Sequence, residues 1–202
     1  FIKDNKDEPF FLYCPWTPPH AAYQIPEDEP AWEIYKDKPW KNDAKVAAAM
    51  DTMMDRQVGE ITALLKKLGI YENTLMFFTS DNGAAKRFDG IHNSCGVMQG
   101  HKRSLNEGGI RVPMVVRWPG KIKPETTSDH VSAFWDWMPT LSEIAGTKAP
   151  DVTDGISLLP SLLGKKQESH KFLYWEFPSY GSQQAVRLGN WKGIRQKISK
   201  AK

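Results

Sequence analysis

The chain has 202 residues, of which 40% are hydrophobic and 11% aromatic, with a formal net charge of +3. That is enough for one large folded domain or one and a half small ones, and it excludes global disorder. The basic residues are scattered, with no basic stripe, which argues against a nucleic-acid partner. No apolar run approaches the roughly 18 residues of a membrane span. Cys14 and Cys95 do not make a disulfide framework and lack the spacing of a metal clamp, so both are expected to be buried thiols. The chain opens at Phe1-Ile2-Lys3 without a starting Met or leader and reads as a piece of a longer protein.

Pro9-Phe10-Phe11-Leu12-Tyr13-Cys14 is a short apolar run bounded by prolines and predicts a buried strand. It runs into Pro15-Trp16-Thr17-Pro18-Pro19-His20, a stiff extended loop that presents His20 just past the strand end. From Gln24 to Asn42 the sequence is rich in Pro, Trp and acids without a period, so a surface loop is expected there. Trp16, Tyr23, Trp32, Tyr35 and Trp40 have the chemistry to stack on a sugar or aryl group, with packing the default role. Asn42 or Asp43 is placed to cap a helix over 43–68. Its apolar stripe is Val46, Met50, Met53/Met54, Val58, Ile61, Leu64/Leu65 and Leu68, and Gly69 is its stop. Asp51 and Asp55, one turn apart, are expected to be solvated or paired with lysines such as Lys45.

Leu75-Met76-Phe77-Phe78 is an unbroken apolar run, the mark of a strand buried on both faces in a parallel sheet. It stops at Thr79-Ser80 and then Asp81-Asn82-Gly83. Polar residues at the carboxyl end of such a strand lie where open α/β sheets bind ligands. A carboxylate and an amide oxygen are hard donors suited to Ca²⁺ or Mg²⁺, and Gly83 permits a sharp turn. The same residues are equally read as a strand ending in an Asn-Gly turn. Residues 84–110 show no period and carry His92, His101, Lys102, Arg103 and Glu107, so an anionic substrate held by metal and lysine together is expected. Met114 to Trp118 is a third strand, closed by Pro119-Gly120. Strands over 9–14, 74–80 and 112–117 would then be neighbours in one largely parallel sheet, with strand–helix–strand as a right-handed crossover. Phe134 to Ala145 is an amphipathic helix ending at Gly146. Lys171–Phe177 is strand-like, and Gln184–Leu188 with Trp191–Arg195 form a hairpin around Gly189-Asn190. His130 and His170 are left structural.

Ser80-Asp81-Asn82-Gly83, then Gly100-His101-Lys102, then Glu107-Gly108-Gly109-Ile110-Arg111-Val112-Pro113, and Trp118-Pro119-Gly120 together resemble the type I sulfatases of the alkaline-phosphatase-like superfamily. Pro9 to His20, Asp136 with Pro139-Thr140-Leu141, Asp154 to Pro160, and Ala185 to Lys192 extend the resemblance over nearly the whole chain. It implies an α/β fold with a largely parallel sheet flanked by helices over 1–165, and the start of a small antiparallel C-terminal subdomain over 166–202. It also implies hydrolysis of a sulfate ester, of a sugar or aryl group, by a formylglycine hydrate aided by Ca²⁺ (or Mg²⁺). By that likeness Asp81 and Asn82 are metal ligands. Lys102 contacts the sulfate or the leaving oxygen, His20 the sulfate or leaving group, and His101 and Arg103 the substrate.

The chain also departs from the family. Cys14 precedes Pro15-Trp16 and Cys95 precedes Gly96-Val97, so neither stands in the Cys/Ser-X-Pro/Ala-X-Arg nucleophile motif. The acidic pair that completes the metal site is absent too. The chain therefore resembles the middle and later part of such an enzyme, expected to be inactive without its N-terminal half. By family analogy the protein is periplasmic or secreted. Alternatives are a phosphatase or phosphonate hydrolase of the same superfamily, against which Asn82 argues because phosphatase relatives often place histidine there, and a non-catalytic homologue that binds sulfated glycans.

Overall fold

The computed structural model describes residues 1–198. They fall into two units, one of Phe1–Thr74 with Arg87–Ser94, the other of Leu75–Lys86 with the chain from Cys95 onward.

The first unit is built on a short helix α1 (Trp32–Tyr35) and a long one, α2 (Asn42–Lys67). On α2 the stripe buries Val46, Met50 and Leu65, aided by Ala44, Ala47 and Ala49. Neither expected capping residue caps it: the N-cap is Lys41, without a side-chain bond to the helix. Asn42 and Asp43 fall inside the first turn, where Asp43 meets the positive end of the helix dipole and pairs with Arg87. The other end stops as expected. Gly69 takes a left-handed φ of 72°. Its N–H donates to the Lys66 carbonyl (3.1 Å) and that of Ile70 to the Leu65 carbonyl (3.1 Å), a Schellman closure. Glu29, 5% exposed, accepts from Arg56 of α2 at 2.8 Å and from the Ala31 N–H at 3.2 Å. This ion pair, buried on the Glu29 side and exposed on the Arg56 side, ties the loop before α1 to α2, and no motif announces it.

The aromatic residues of this region mostly pack on one another. Tyr35 and Trp40 stack at 6.2 Å, Trp40 meets His92 edge-on at 5.2 Å, and Tyr23 meets Phe88 at 5.0 Å. The Tyr35 hydroxyl shares a 2.8 Å hydrogen bond with Thr52. Desolvation raises the Asp51 carboxyl above its ordinary range, against a lowering by His92.

Residues 9–14 correct the sequence reading. They form no strand, and Phe11 and Tyr13 are 72% and 74% exposed. An apolar run between prolines dictates extended backbone, but a ladder also needs a partner strand, and among the described residues this run has none. Without it there is no strand–helix–strand crossover.

In the second unit β1 (Met76–Thr79) pairs with β2 (Met114–Arg117). Among the described residues the largely parallel sheet is not found: the two strands are antiparallel, with Met76 opposite Arg117 and Thr79 opposite Met114. An apolar run reports that both faces are covered or coverable; it says nothing about the direction of the neighbour. Between the strands the chain turns back through a one-turn helix α3 (Glu107–Ile110). Further on come α4 (Trp137–Ile144), entered by a 3₁₀ turn over Phe134–Asp136, and α5 (Leu159–Leu162). Gly146, φ 68°, ends α4 as expected. The expected C-terminal strands are present as an antiparallel sheet of their own, β3 (Leu173–Phe177), β4 (Gln183–Leu188) and β5 (Trp191–Gln196), with the β4–β5 turn at Gly189-Asn190.

Asp136 is the polar node of this unit. Fully buried, it accepts from the N–H groups of Ala133 (2.8 Å) and Ile156 (2.9 Å), and from His170 Nε2 (2.8 Å). Buried Thr140 continues the network, donating to the Asp136 carbonyl at 2.6 Å and accepting from the Leu158 N–H at 2.8 Å. The Asp154–Pro160 segment and His170 are thereby tied to the start of α4. Because Asp136→Ala strands three donors in a dry place, it should cost at least about 3 kcal/mol of unfolding free energy. Urea unfolding of the variant beside wild type measures this, and a loss below about 1 kcal/mol would count against the node.

His130 supplies a pH test of the same region. Burial holds its imidazole below the ordinary value of 6.5; the Asp136 carboxylate opposes this and His170 reinforces it. A depressed histidine favours the neutral form in the fold. Stability is therefore complete above the unfolded pKa and is lost as pH falls through the folded one. The urea midpoint should drop more between about pH 7.5 and about pH 5.5 for wild type than for His130→Gln. Parallel pH profiles would show the shift to have no energetic weight.

Candidate active site

β1 ends at Thr79, whose hydroxyl donates to the Pro113 carbonyl at 2.9 Å and fixes the two strand ends to each other. The next residues turn sharply. The Ser80 hydroxyl donates to the Asn82 carbonyl at 3.0 Å, leaving Asp81 exposed and Asn82 half-buried.

The turn is then seated on the 99–110 segment by backbone alone. The Gly83 N–H donates to the Gly109 carbonyl (3.0 Å) and that of Lys102 to the Ala84 carbonyl (2.8 Å), while inside the segment the Gly108 N–H donates to the Gln99 carbonyl (2.8 Å). Contacts this close exist because side chains are missing. A Cβ on Gly83 would lie 1.9 Å from the Gly108 oxygen, one on Gly108 2.1 Å from the Gly100 oxygen, and one on Gly109 2.0 Å from the Ser104 oxygen. The backbone after Asp81-Asn82 and the backbone at Lys102 are therefore held next to each other, with glycines permitting the close approach.

The other expected residues fare differently. Lys102 and His101 are half-buried in the same segment. The Arg103 guanidinium lies 5.0 Å over the Tyr180 ring. Glu107 is not a free carboxylate beside the cluster: Lys192 bonds it at 2.7 Å and Arg187 approaches to 3.7 Å. His92 belongs to the first unit, in aromatic packing with Trp40 and Phe88. His20 is in the first unit too, exposed, with Nδ1 2.7 Å from the Ala21 carbonyl. A groove of about 640 Å³ in that unit, between Cys14–Trp16 and one face of α2, includes none of these residues. Cys95 is buried as expected, its thiol 3.5 Å from the Gly108 carbonyl, whereas Cys14 is half-buried; both are free.

The residues that tie this segment to the C-terminal sheet, Gln183, Lys192 and Tyr180, escaped the sequence reading, since a glutamine opening a strand carries no motif. Asn82 Oδ1 is buried and has no hydrogen-bond partner. A buried acceptor without a donor is costly unless a cation or donor completes it. Beside the Asp81 carboxylate it fits a hard divalent cation. Among the described residues no group of three or more His, Cys, Asp or Glu side chains is gathered to hold a metal, so these two oxygen donors are a partial set.

The solved structure of Ps i-CgsB superimposes with a TM-score of 0.82 at 31% identity, covering 94% of this chain and 42% of that one. The fold is thus that of the corresponding part of Ps i-CgsB, 42% of that chain. A family model described as Sulfatase matches residues 1–147, and one described as N-sulphoglucosamine sulphohydrolase, C-terminal, matches 99–200. The chain belongs to the sulfatase family. It is 35% identical to steryl-sulfatase of Rattus norvegicus, over 96% of this chain and 34% of that protein. It is 31% identical to arylsulfatase A of Homo sapiens, over 93% and 36%. The chain spans about a third of the length of these curated relatives.

The glycine interlock makes a contrast testable. Gly83→Ala should cost about 1–3 kcal/mol through overpacking. Gly59→Ala, inside α2 with nothing within 4 Å of its Cβ, should stabilise by about 0.5–1 kcal/mol. Equal effects in chemical denaturation would refute the close approach.

Proposed function

We propose that this chain is part of a sulfatase that hydrolyses the sulfate ester of a sugar or aryl group, and that the Asp81-Asn82 turn and Lys102 are its contribution to the reaction centre. The observation that carries the reading is the seating of that turn on the Lys102 segment with the Asn82 amide oxygen buried and unpartnered. Asp81 and Asn82 would hold a divalent cation, Ca²⁺ or Mg²⁺, which when bound supplies positive charge beside the ester. Lys102 would neutralise charge on the sulfate and on the leaving oxygen as the bond breaks. His101 and Arg103, its neighbours, would face the rest of the substrate. His20 is proposed to contact a sulfate on the resemblance alone. The nucleophile, a formylglycine in this family, and further acidic ligands would come from outside these residues. Relatives named for a steryl and an aryl sulfatase support the ester class. A secreted or periplasmic location is proposed by analogy; no helix among the described residues is long and apolar enough to cross a membrane.

The full-length protein should release sulfate from an aryl sulfate faster than phosphate from the matching aryl phosphate; the reverse preference sinks the sulfatase reading. Lys102→Ala should lower kcat by roughly 100- to 1,000-fold with a smaller change in KM, because its charge matters most when the leaving oxygen becomes negative. In calorimetric Ca²⁺ titration, Asp81→Ala and Asn82→Ala should each weaken binding by at least about tenfold. Unchanged affinity in both would remove these residues from the metal site.

A further inference from the structure

The segment that carries Lys102 is held from a distance. Gln183, 7% exposed, is the first residue of β4, and its amide reaches back about 80 positions. Its Oε1 accepts from the Leu105 N–H at 3.2 Å and its Nε2 donates to the Arg103 carbonyl at 3.0 Å. One amide thus grips the backbone on both sides of Ser104, as a neighbouring strand would. Arg103, between that grip and Lys102, has a φ of 77°, a left-handed backbone that L side chains rarely adopt. Such a conformation persists where the surroundings dictate it. The surroundings here are Gln183 on one side and the Lys102 N–H to the Ala84 carbonyl (2.8 Å) on the other. A second tie, Lys192 of β5 to Glu107 at 2.7 Å, fixes the far end of the segment to the same sheet.

We propose that Gln183 is a positioning residue for Lys102: its amide, fixed in place by the β3–β4–β5 sheet, sets the backbone of 103–105 and through it the placement of the lysine beside the Asp81-Asn82 turn. The proposal rests on the sulfatase reading for its kinetic consequence, but not for its structural one. Gln183 touches no reacting atom. It acts by removing the freedom of the residue next to the one that does, and placement errors of about 1 Å at a reacting centre cost on the order of 100-fold in rate.

The test is made in the full-length protein with Gln183→Leu, near-isosteric and unable to form either bond, and with Gln184→Leu as its control. Gln184, one residue along, points to the other side of the strand and bonds Glu176 at 3.2 Å. Gln183→Leu should lower kcat on an aryl sulfate by roughly 10- to 100-fold with KM within about threefold, and Gln184→Leu should leave both unchanged. In a Lys102→Ala background the Gln183→Leu effect should vanish, since a positioning residue has nothing left to position. The same loss in both backgrounds would make Gln183 merely structural and overturn the proposal. Amide hydrogen exchange supplies a reading independent of activity. Gln183→Leu should accelerate exchange at Lys102 and Leu105 while the β4–β5 ladder keeps its protection. Unchanged exchange at Lys102 overturns the proposal whether or not the protein cleaves sulfate esters. A wild type without sulfate-ester turnover overturns the sulfatase reading instead and leaves the exchange result to decide the tether.

Discussion

Everything at the candidate site depends on how closely two pieces of backbone approach. Gly83 lets the turn after β1 approach the segment before β2, and Gly108 and Gly109 let that segment fold on itself, at distances where a Cβ would sit about 2 Å from a carbonyl oxygen. Hydrogen bonds with N···O distances of 2.8–3.0 Å then form directly between main chains, without side chains as intermediaries. Backbone contacts of this kind are stiff, because neither partner has a rotamer to change. The proposed site residues Asp81, Asn82 and Lys102 stand on the backbone at or next to that junction.

The rest of the second unit supports the junction through buried polar ties. Gln183 and Lys192 bring the C-terminal sheet to the 103–107 backbone and to Glu107. Asp136 gathers Ala133, Ile156 and His170 around the start of α4. Each is a buried or half-buried polar side chain whose partners lie far along the chain, or two ends of a loop. Such groups contribute modestly when satisfied and cost heavily when not, so they select one arrangement over its neighbours more than they add to bulk stability. Asn82 Oδ1, like Trp118 Nε1 and His130 Nε2 in the same unit, is buried without a hydrogen-bond partner, and at Asn82 that partner is what the proposed cation would supply.

The two pieces of chain that meet at the candidate site were legible from residues alone. Asp81-Asn82-Gly83 after an apolar run marked a strand end with hard oxygen donors, and the glycine and lysine motifs between Gly100 and Pro113 marked the segment it meets. Local signals also held for the α2 stop at Gly69, the α4 stop at Gly146 and the β4–β5 turn, because a left-handed glycine or a two-residue turn is decided within a few residues. Other local signals misled. Asn42 and Asp43 are good caps by type, yet the helix starts one position earlier, where the path of the chain puts Lys41 at the N-cap.

What the sequence by itself determined is therefore short-range: which segments are helical or extended, where they stop, and which chemical groups stand at their ends. What only the tertiary structure decided is pairing. The Pro9–Cys14 run remained without a ladder and β1 met β2 antiparallel, because apolar periodicity encodes burial and carries no term for the identity or direction of a partner. Gln183 became a brace for the lysine segment and Glu107 the partner of Lys192 for the same reason. A glutamine or a glutamate acquires such a role from what the fold sets opposite it, across some 80 residues of chain, and no spacing within either segment records that meeting.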